Sequence, residues 1–177
     1  MSRILRLTAF VALVALVATL PLAAAGGAYR DEALANLKGL ESKYTDLAGA
    51  MADGKYTYRP GEGVRSVSEL YLHVAAANFG LSGVFGTPSP DGFNFGAMEK
   101  STTDKAAIGT KLAESFAHMR GAIEKLADGD EEKATKMFGQ DTTLRGALGM
   151  ALGHLHEHLG QAIAYARVNG TKPPWSK

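Results

Sequence analysis

Apolar residues recur every three or four positions through most of the chain, and no segment alternates apolar and polar residues as a strand does. Such spacing gathers apolar side chains into one stripe along a helix. Helices of this kind must bury their stripes against one another. We therefore predict an all-α fold, a four-helix bundle. The predicted helices span residues 28–51, 66–84, 103–127 and about 141–169.

The connections between these helices carry residues that end helices. Three glycines and a proline lie within residues 53–65, and Ser66 with Glu69 then forms a capping-box sequence that starts the second helix. Residues 86–101 contain two prolines and the run DGFNFG, which is too long for a tight turn. We predict a long crossover here, between helices two and three. Residues 128–140 are rich in charge and are predicted to form a mobile link.

The first 25 residues have the pattern of a secretory signal peptide. Arg3 and Arg6 give a cationic start, residues 7–20 are apolar apart from two threonines, and residues 23–25 are alanines that a signal peptidase accepts. An apolar run of about 14 residues is short against the roughly 20 that span a bilayer. We predict that residues 1–25 are removed, and that residues 26–177 form a secreted or periplasmic domain without a stable membrane span.

Composition narrows the classes of function. The 177 residues, 46% of them hydrophobic, suit one globular domain. The 19 basic residues nearly balance the 18 acidic ones, so no basic field exists to hold a nucleic acid. The chain has no cysteine, which excludes disulfides, thiolate metal sites and cysteine nucleophiles. Any chemistry must come from histidines, carboxylates or hydroxyls.

The histidines of the fourth predicted helix carry the clearest chemical signal. In the run GHLHEHLGQ, His154 and His158 lie four positions apart and about 40° apart around the helix, whereas His156 points to the opposite face. Two imidazoles one turn apart can bind a single ion at about 2.0–2.1 Å. The zincin glutamate is absent from its usual place, and Glu157 lies about 100° from His158, so we do not expect it to act as a base.

A third ligand is needed, and His73 is the best remaining candidate because it lies mid-helix in the apolar run LYLHVAAANF. Small residues follow on the same face and leave room beside an ion. His118 is a weaker candidate on the flank of its helix, and Glu69, one turn before His73, could supply a carboxylate, although its capping role competes with metal binding. Three buried histidines need partners for their ring nitrogens, and a shared cation would satisfy all three. An ordinary hydrogen-bonded core histidine remains the alternative for His73.

At this point the chain resembles the DinB-like family of metal-binding four-helix bundles, which includes YfiT-like hydrolases and thiol-dependent transferases. The resemblance rests on YTYRPGEGVRSVSELYLHVA at residues 56–75 and HLHEHLGQAIAYARVNGTKPP at residues 154–174. It covers almost all of the chain after the signal peptide. It implies a DinB-like bundle whose metal ligands are His73, His154 and His158.

The expected function is that of an exported protein that binds a divalent metal, a metal-dependent hydrolase or transferase of small-molecule substrates. A non-catalytic protein that stores metal, or a bundle in which the ion is structural, remains the alternative. Zinc best suits the three imidazoles, with nickel, iron and copper left open because imidazole binds all of them. Bundles of this kind often pair, so a homodimer is a further expectation.

Overall fold

A computed structural model describes residues 25–176. The predicted signal peptide, residues 1–25, lies outside these residues except for Ala25, and Lys177 lies outside them too. The main elements are helices α1 (Ala25–Ala50), α2 (Val67–Leu81), α3 (Phe95–Glu99), α4 (Lys105–Glu124) and α5 (Leu144–Val168), with strands β1 (Ala134–Met137) and β2 (Gln140–Thr143) before α5. Short 3-10 turns lie at Asp53–Lys55, Ser82–Phe85 and Asp130–Glu132.

The four long helices form the predicted bundle, in which α1 and α2 each pack against both α4 and α5. Two contacts show that α2 and α4 are parallel: Asn78 donates to Ser115 Oγ, and one turn further along both helices Ser82 lies beside Met119. Since neighbouring parallel helices need a connection that returns along the bundle, the predicted crossover between the second and third long helices is confirmed. None of the described helices is both long and apolar enough to cross a bilayer.

Helix α2 is buried on nearly every face, as its apolar sequence requires. The bundle partners cover two sides, and the crossover covers a third by laying the short helix α3 along α2. The predicted capping box starts α2: Ser66 Oγ accepts from the Glu69 N–H at 3.2 Å, and the Glu69 carboxylate accepts from the Ser66 N–H at 2.8 Å. The sequence did not predict α3, whose N-cap residue is Asn94.

Aromatic residues fill the centre of the bundle. Tyr44 packs against Tyr71 and Phe116 with ring centroids 6.4 and 5.7 Å apart. The Tyr44 hydroxyl, which is fully buried, donates to the Leu155 carbonyl at 2.6 Å. This contact joins α1 to α5 close to His154, so the core beneath the histidines is rigidly packed.

The mobile link predicted at residues 128–140 is wrong, because β1 and β2 form an antiparallel hairpin there. The sequence shows no alternation of apolar and polar residues here, because most residues of the two strands are polar and exposed. The two-residue turn, Phe138 and Gly139, has φ of 51° and 78°, which suits a type I′ turn. Gly139 adopts this conformation freely, but for Phe138 it costs on the order of 1 kcal/mol. The hairpin ends at Thr143, which caps α5 by accepting from the Gly146 N–H.

Candidate metal centre

Three histidines from two helices meet in one cluster, in which His73 is buried while His154 and His158, expected to be buried, are half-buried. His154 and His158, one turn apart on α5, have ring centroids 4.4 Å apart. His73, from the middle of α2, places its ring 5.2 Å from His154 and 4.6 Å from His158. Because α2 and α5 pack against each other, the three residues that the sequence singled out lie together in one cluster.

The ring nitrogens are spaced as ligands of one ion would be. Nε2 of His73 lies 3.1 Å from Nε2 of His154, and the donor atoms of all three histidines lie within 4.8 Å of one another. Nitrogens bound tetrahedrally at 2.0–2.1 Å would be about 3.3 Å apart. Among residues 25–176, these three histidines form a group of side chains whose ligand atoms lie close enough together to hold one metal ion. The three imidazoles could together hold a divalent metal ion.

Glu99, at the end of α3, fixes the orientation of His73. Its Oε1 accepts a short hydrogen bond from Nδ1 of His73 and lies 3.1 Å from the guanidinium of Arg65. A carboxylate on the outer nitrogen selects the tautomer whose Nε2 lone pair faces the ion, an arrangement typical of histidine metal ligands. This observation supports the fit of the cluster to a metal.

Sequence reasoning missed Glu99. The only local signal is Asn94, which caps α3 by accepting from the Ala97 N–H. Nothing in the sequence pairs a carboxylate in a long connection with a histidine 26 positions earlier, because that contact depends on the path of the crossover along α2.

A second chain of hydrogen bonds holds His158. Its Nδ1 lies 3.0 Å from Oε1 of Gln161, whose amide nitrogen donates to the Tyr165 hydroxyl at 3.2 Å. Tyr165 in turn donates to the Arg65 carbonyl at 3.2 Å, which ties α5 to the start of α2. With Nδ1 engaged, Nε2 of His158 is the nitrogen left for an ion.

The environment keeps two of the rings neutral at pH 7. Burial, followed by the repulsion of His158, His73 and Arg65, lowers the pKa of His154 to about 4. Burial also lowers the pKa of His73, although the Glu99 carboxylate opposes this effect. Because a metal binds the neutral imidazole, both rings are in the ligating form at neutral pH.

The remaining candidates lie outside the cluster. His118 is half-buried beside Phe79, with ring centroids 5.2 Å apart, and His156 is exposed and bonded to Asn36. Glu157 is exposed, as expected from its angle on α5. Glu69 stays with Ser66 and Arg59, so its capping role takes precedence over metal binding.

Two cavities adjoin the cluster. An apolar cavity of about 220 Å³ reaches the rings of His73 and His154. A larger polar cavity of about 620 Å³ is lined by Arg59, Arg65, Lys100 and Gln161 among others. The polar cavity reaches Glu99 and Gln161 but none of the rings, so a small molecule could reach His73 and His154 through the apolar cavity.

The comparisons with known proteins agree with this architecture. A DinB-like protein from Bacillus cereus ATCC 10987 has a similar structure, with a TM-score of 0.72 and 14% identity over 83% of this chain and 97% of that one. The DinB-like protein YjoA from Bacillus subtilis gives 0.64 and 20% identity, over 81% and 96% of the two chains.

YfiT from Bacillus subtilis, described as a probable metal-dependent hydrolase with an unusual four-helix bundle topology, gives a TM-score of 0.65. It is 19% identical, over 81% of this chain and 89% of that one. No curated protein matches the sequence. The sequence model of the DinB superfamily matches residues 36–162, which include all three histidines of the cluster. The chain thus belongs to the DinB superfamily.

Proposed function

We propose that this protein binds zinc through His73, His154 and His158, and uses it as a metal-dependent hydrolase of small molecules. The observation that carries the proposal is the convergence of three histidines whose donor nitrogens lie within 4.8 Å, with one of them oriented by Glu99. The description of the structurally similar YfiT as a probable metal-dependent hydrolase points the same way.

Zinc held by three imidazoles keeps an open position and supplies a Lewis acid that makes a bound water acidic. The protein itself orients the histidine rings towards the metal. Glu99 holds His73 and Gln161 holds His158, so the two rings cannot turn their Nε2 atoms away. Glu99 is itself bound by Arg65 and His73, which makes it a positioning group and not a free base.

Export is a separate part of the proposal. It is supported by the cationic start at Arg3 and Arg6, the apolar run after them and the alanines at residues 23–25. The domain would then take its zinc outside the cytoplasm.

One experiment tests both parts. Protein purified from its native host is analysed for metal content and for intact mass, alongside the variants His158→Ala and His156→Ala. We expect about one zinc per chain in the wild type, almost none in His158→Ala, and the wild-type content in His156→Ala, whose exposed ring binds Asn36. The mass should lack residues 1–25.

Turnover is then followed with a panel of aryl and alkyl esters and amides. Hydrolysis that disappears with a chelator and in His158→Ala, but persists in His156→Ala, is the expected result. Equal metal content in all three proteins would contradict the site. Full zinc binding without any hydrolysis would leave a metal-storage protein instead of an enzyme.

A further inference from the structure

The apolar cavity beside the histidines is built differently from the polar one. Its volume is about 220 Å³, and only the rings of His73 and His154 interrupt an otherwise apolar wall. The remaining lining residues come from α2, from α3 and from the hairpin turn: Ala77, Gly80, Leu81, Phe95 and Phe138. A cavity of about 150 Å³ with such a lining holds benzene. A ring-sized hydrophobic group therefore fits against the two histidines.

Gly80 keeps this cavity open. Gly80 is the next-to-last residue of α2, and within a helix glycine is less favourable than alanine, so its presence needs a reason. Close packing is not the reason, because an added Cβ would lie 3.9 Å from the rings of Phe93 and Phe95, an ordinary contact. A larger side chain at position 80 would instead fill the space between α2 and the aromatic residues of the crossover.

Neither burial nor the geometry of the turn favours a phenylalanine at position 138. Its side chain is 66% exposed, and its backbone has a φ of 51°, which glycine and asparagine tolerate far better. An exposed aromatic ring gains little from burial and here also strains the turn. A role in the cavity accounts for both features, because Phe138 lines the cavity together with Phe95, His73 and His154.

We propose that this cavity is the subsite for a compact hydrophobic group of the substrate, a phenyl ring or branched alkyl chain next to the bond that is hydrolysed, and that Phe138 is the specificity-determining residue that covers it. The inference rests on the proposed function, since it places the reacting group at the three histidines. A bound group would bury the exposed rings of Phe95 and Phe138 and so recover apolar surface.

Two hydroxamates with the same metal-binding head test the subsite. Calorimetric titration of the zinc-loaded protein should show benzohydroxamate binding at least about tenfold more tightly than acetohydroxamate. Gly80→Leu fills the cavity and should abolish this preference, because benzohydroxamate loses more affinity than acetohydroxamate. The control Gly39→Leu, on the exposed face of α1, should keep the preference. The same preference in Gly80→Leu as in the wild type would overturn the proposal.

Phe138→Asn tests the covering residue without endangering the fold, because asparagine suits the turn. We expect it to reduce the preference for benzohydroxamate by about threefold to tenfold. An unchanged preference would rule out Phe138 as a specificity residue.

Benzyl alcohol separates the subsite from the metal. It is titrated into the metal-free protein and followed by NMR of the aromatic side chains. Binding in the wild type that is lost in Gly80→Leu supports the subsite even if zinc binding fails, whereas the absence of binding in the wild type overturns it. Failure of the proposed function would appear instead as absent zinc binding in the metal analysis.

Discussion

At the scale of single residues, the outer nitrogens of the three histidines are held unequally. Nδ1 of His73 meets a carboxylate and Nδ1 of His158 meets an amide oxygen. Nδ1 of His154 is buried without a partner among the described residues. Since a hydrogen bond at the outer nitrogen orients a ligand and raises its basicity, Glu99 should contribute most to affinity.

Glu99→Gln tests this expectation. The amide can still accept from Nδ1 of His73 but lacks the negative charge, so zinc affinity should fall about tenfold or more while the fold is kept. A competitive titration against a chromophoric chelator measures the change. Glu114→Gln, an exposed substitution on α4, is the matched control. Equal affinities in the two variants would show that Glu99 does not support the site.

At the scale of elements, the crossover and the hairpin complete a site that the bundle helices begin. The crossover supplies Glu99 and Phe95 to His73, and the hairpin supplies Phe138 to the same cavity. The local sequence predicts neither the short helix α3 of the crossover nor the hairpin. A five-residue helix has few periodic positions, and strands of four largely exposed residues show no apolar alternation.

The capping box at the start of α2 should make the stability of the fold depend on pH, because one of its two residues, Glu69, titrates. Arg59 and the Ser66 N–H lower the pKa of Glu69 below its ordinary value. Its carboxylate therefore stabilises the fold above about pH 4.3, the usual value for glutamate, and this contribution is lost as the pH falls through the lowered pKa.

Urea denaturation of Glu69→Ala and Ser66→Ala separates the two halves of the cap. Each should cost about 1 kcal/mol at pH 7. The cost of Glu69→Ala should shrink towards pH 3.5, whereas that of Ser66→Ala should persist, because a hydroxyl does not titrate there. Costs that change alike with pH would contradict the assignment.

At the scale of the whole molecule, an ion would join helices that lie far apart in the chain. His73 is on α2, and the other two histidines are on α5, beyond the crossover, α4 and the hairpin. Bound zinc would thus link the two ends of the domain, and anything that binds only the folded state stabilises it.

Thermal unfolding measures this linkage. Free zinc at about a hundred times its dissociation constant should add about 2.7 kcal/mol, which corresponds to a rise in Tm of about 5–10 °C. His154→Ala should lose the rise, and His156→Ala should keep it. Identical melting of the wild type with zinc and with chelator would contradict a site within the folded bundle.

The sequence by itself determined the four long helices, the capping box at Ser66, the crossover and the choice of His73, His154 and His158. These features depend on local spacing, since residues on one helix share a face at fixed intervals. Only the tertiary structure decided that Glu99 holds His73, that Gln161 is tied through Tyr165 to Arg65, and that Phe138 lines the apolar cavity. Those contacts join residues with no periodic relation, and they exist because α2 packs against α5 while the crossover and the hairpin each contribute residues beside the histidines.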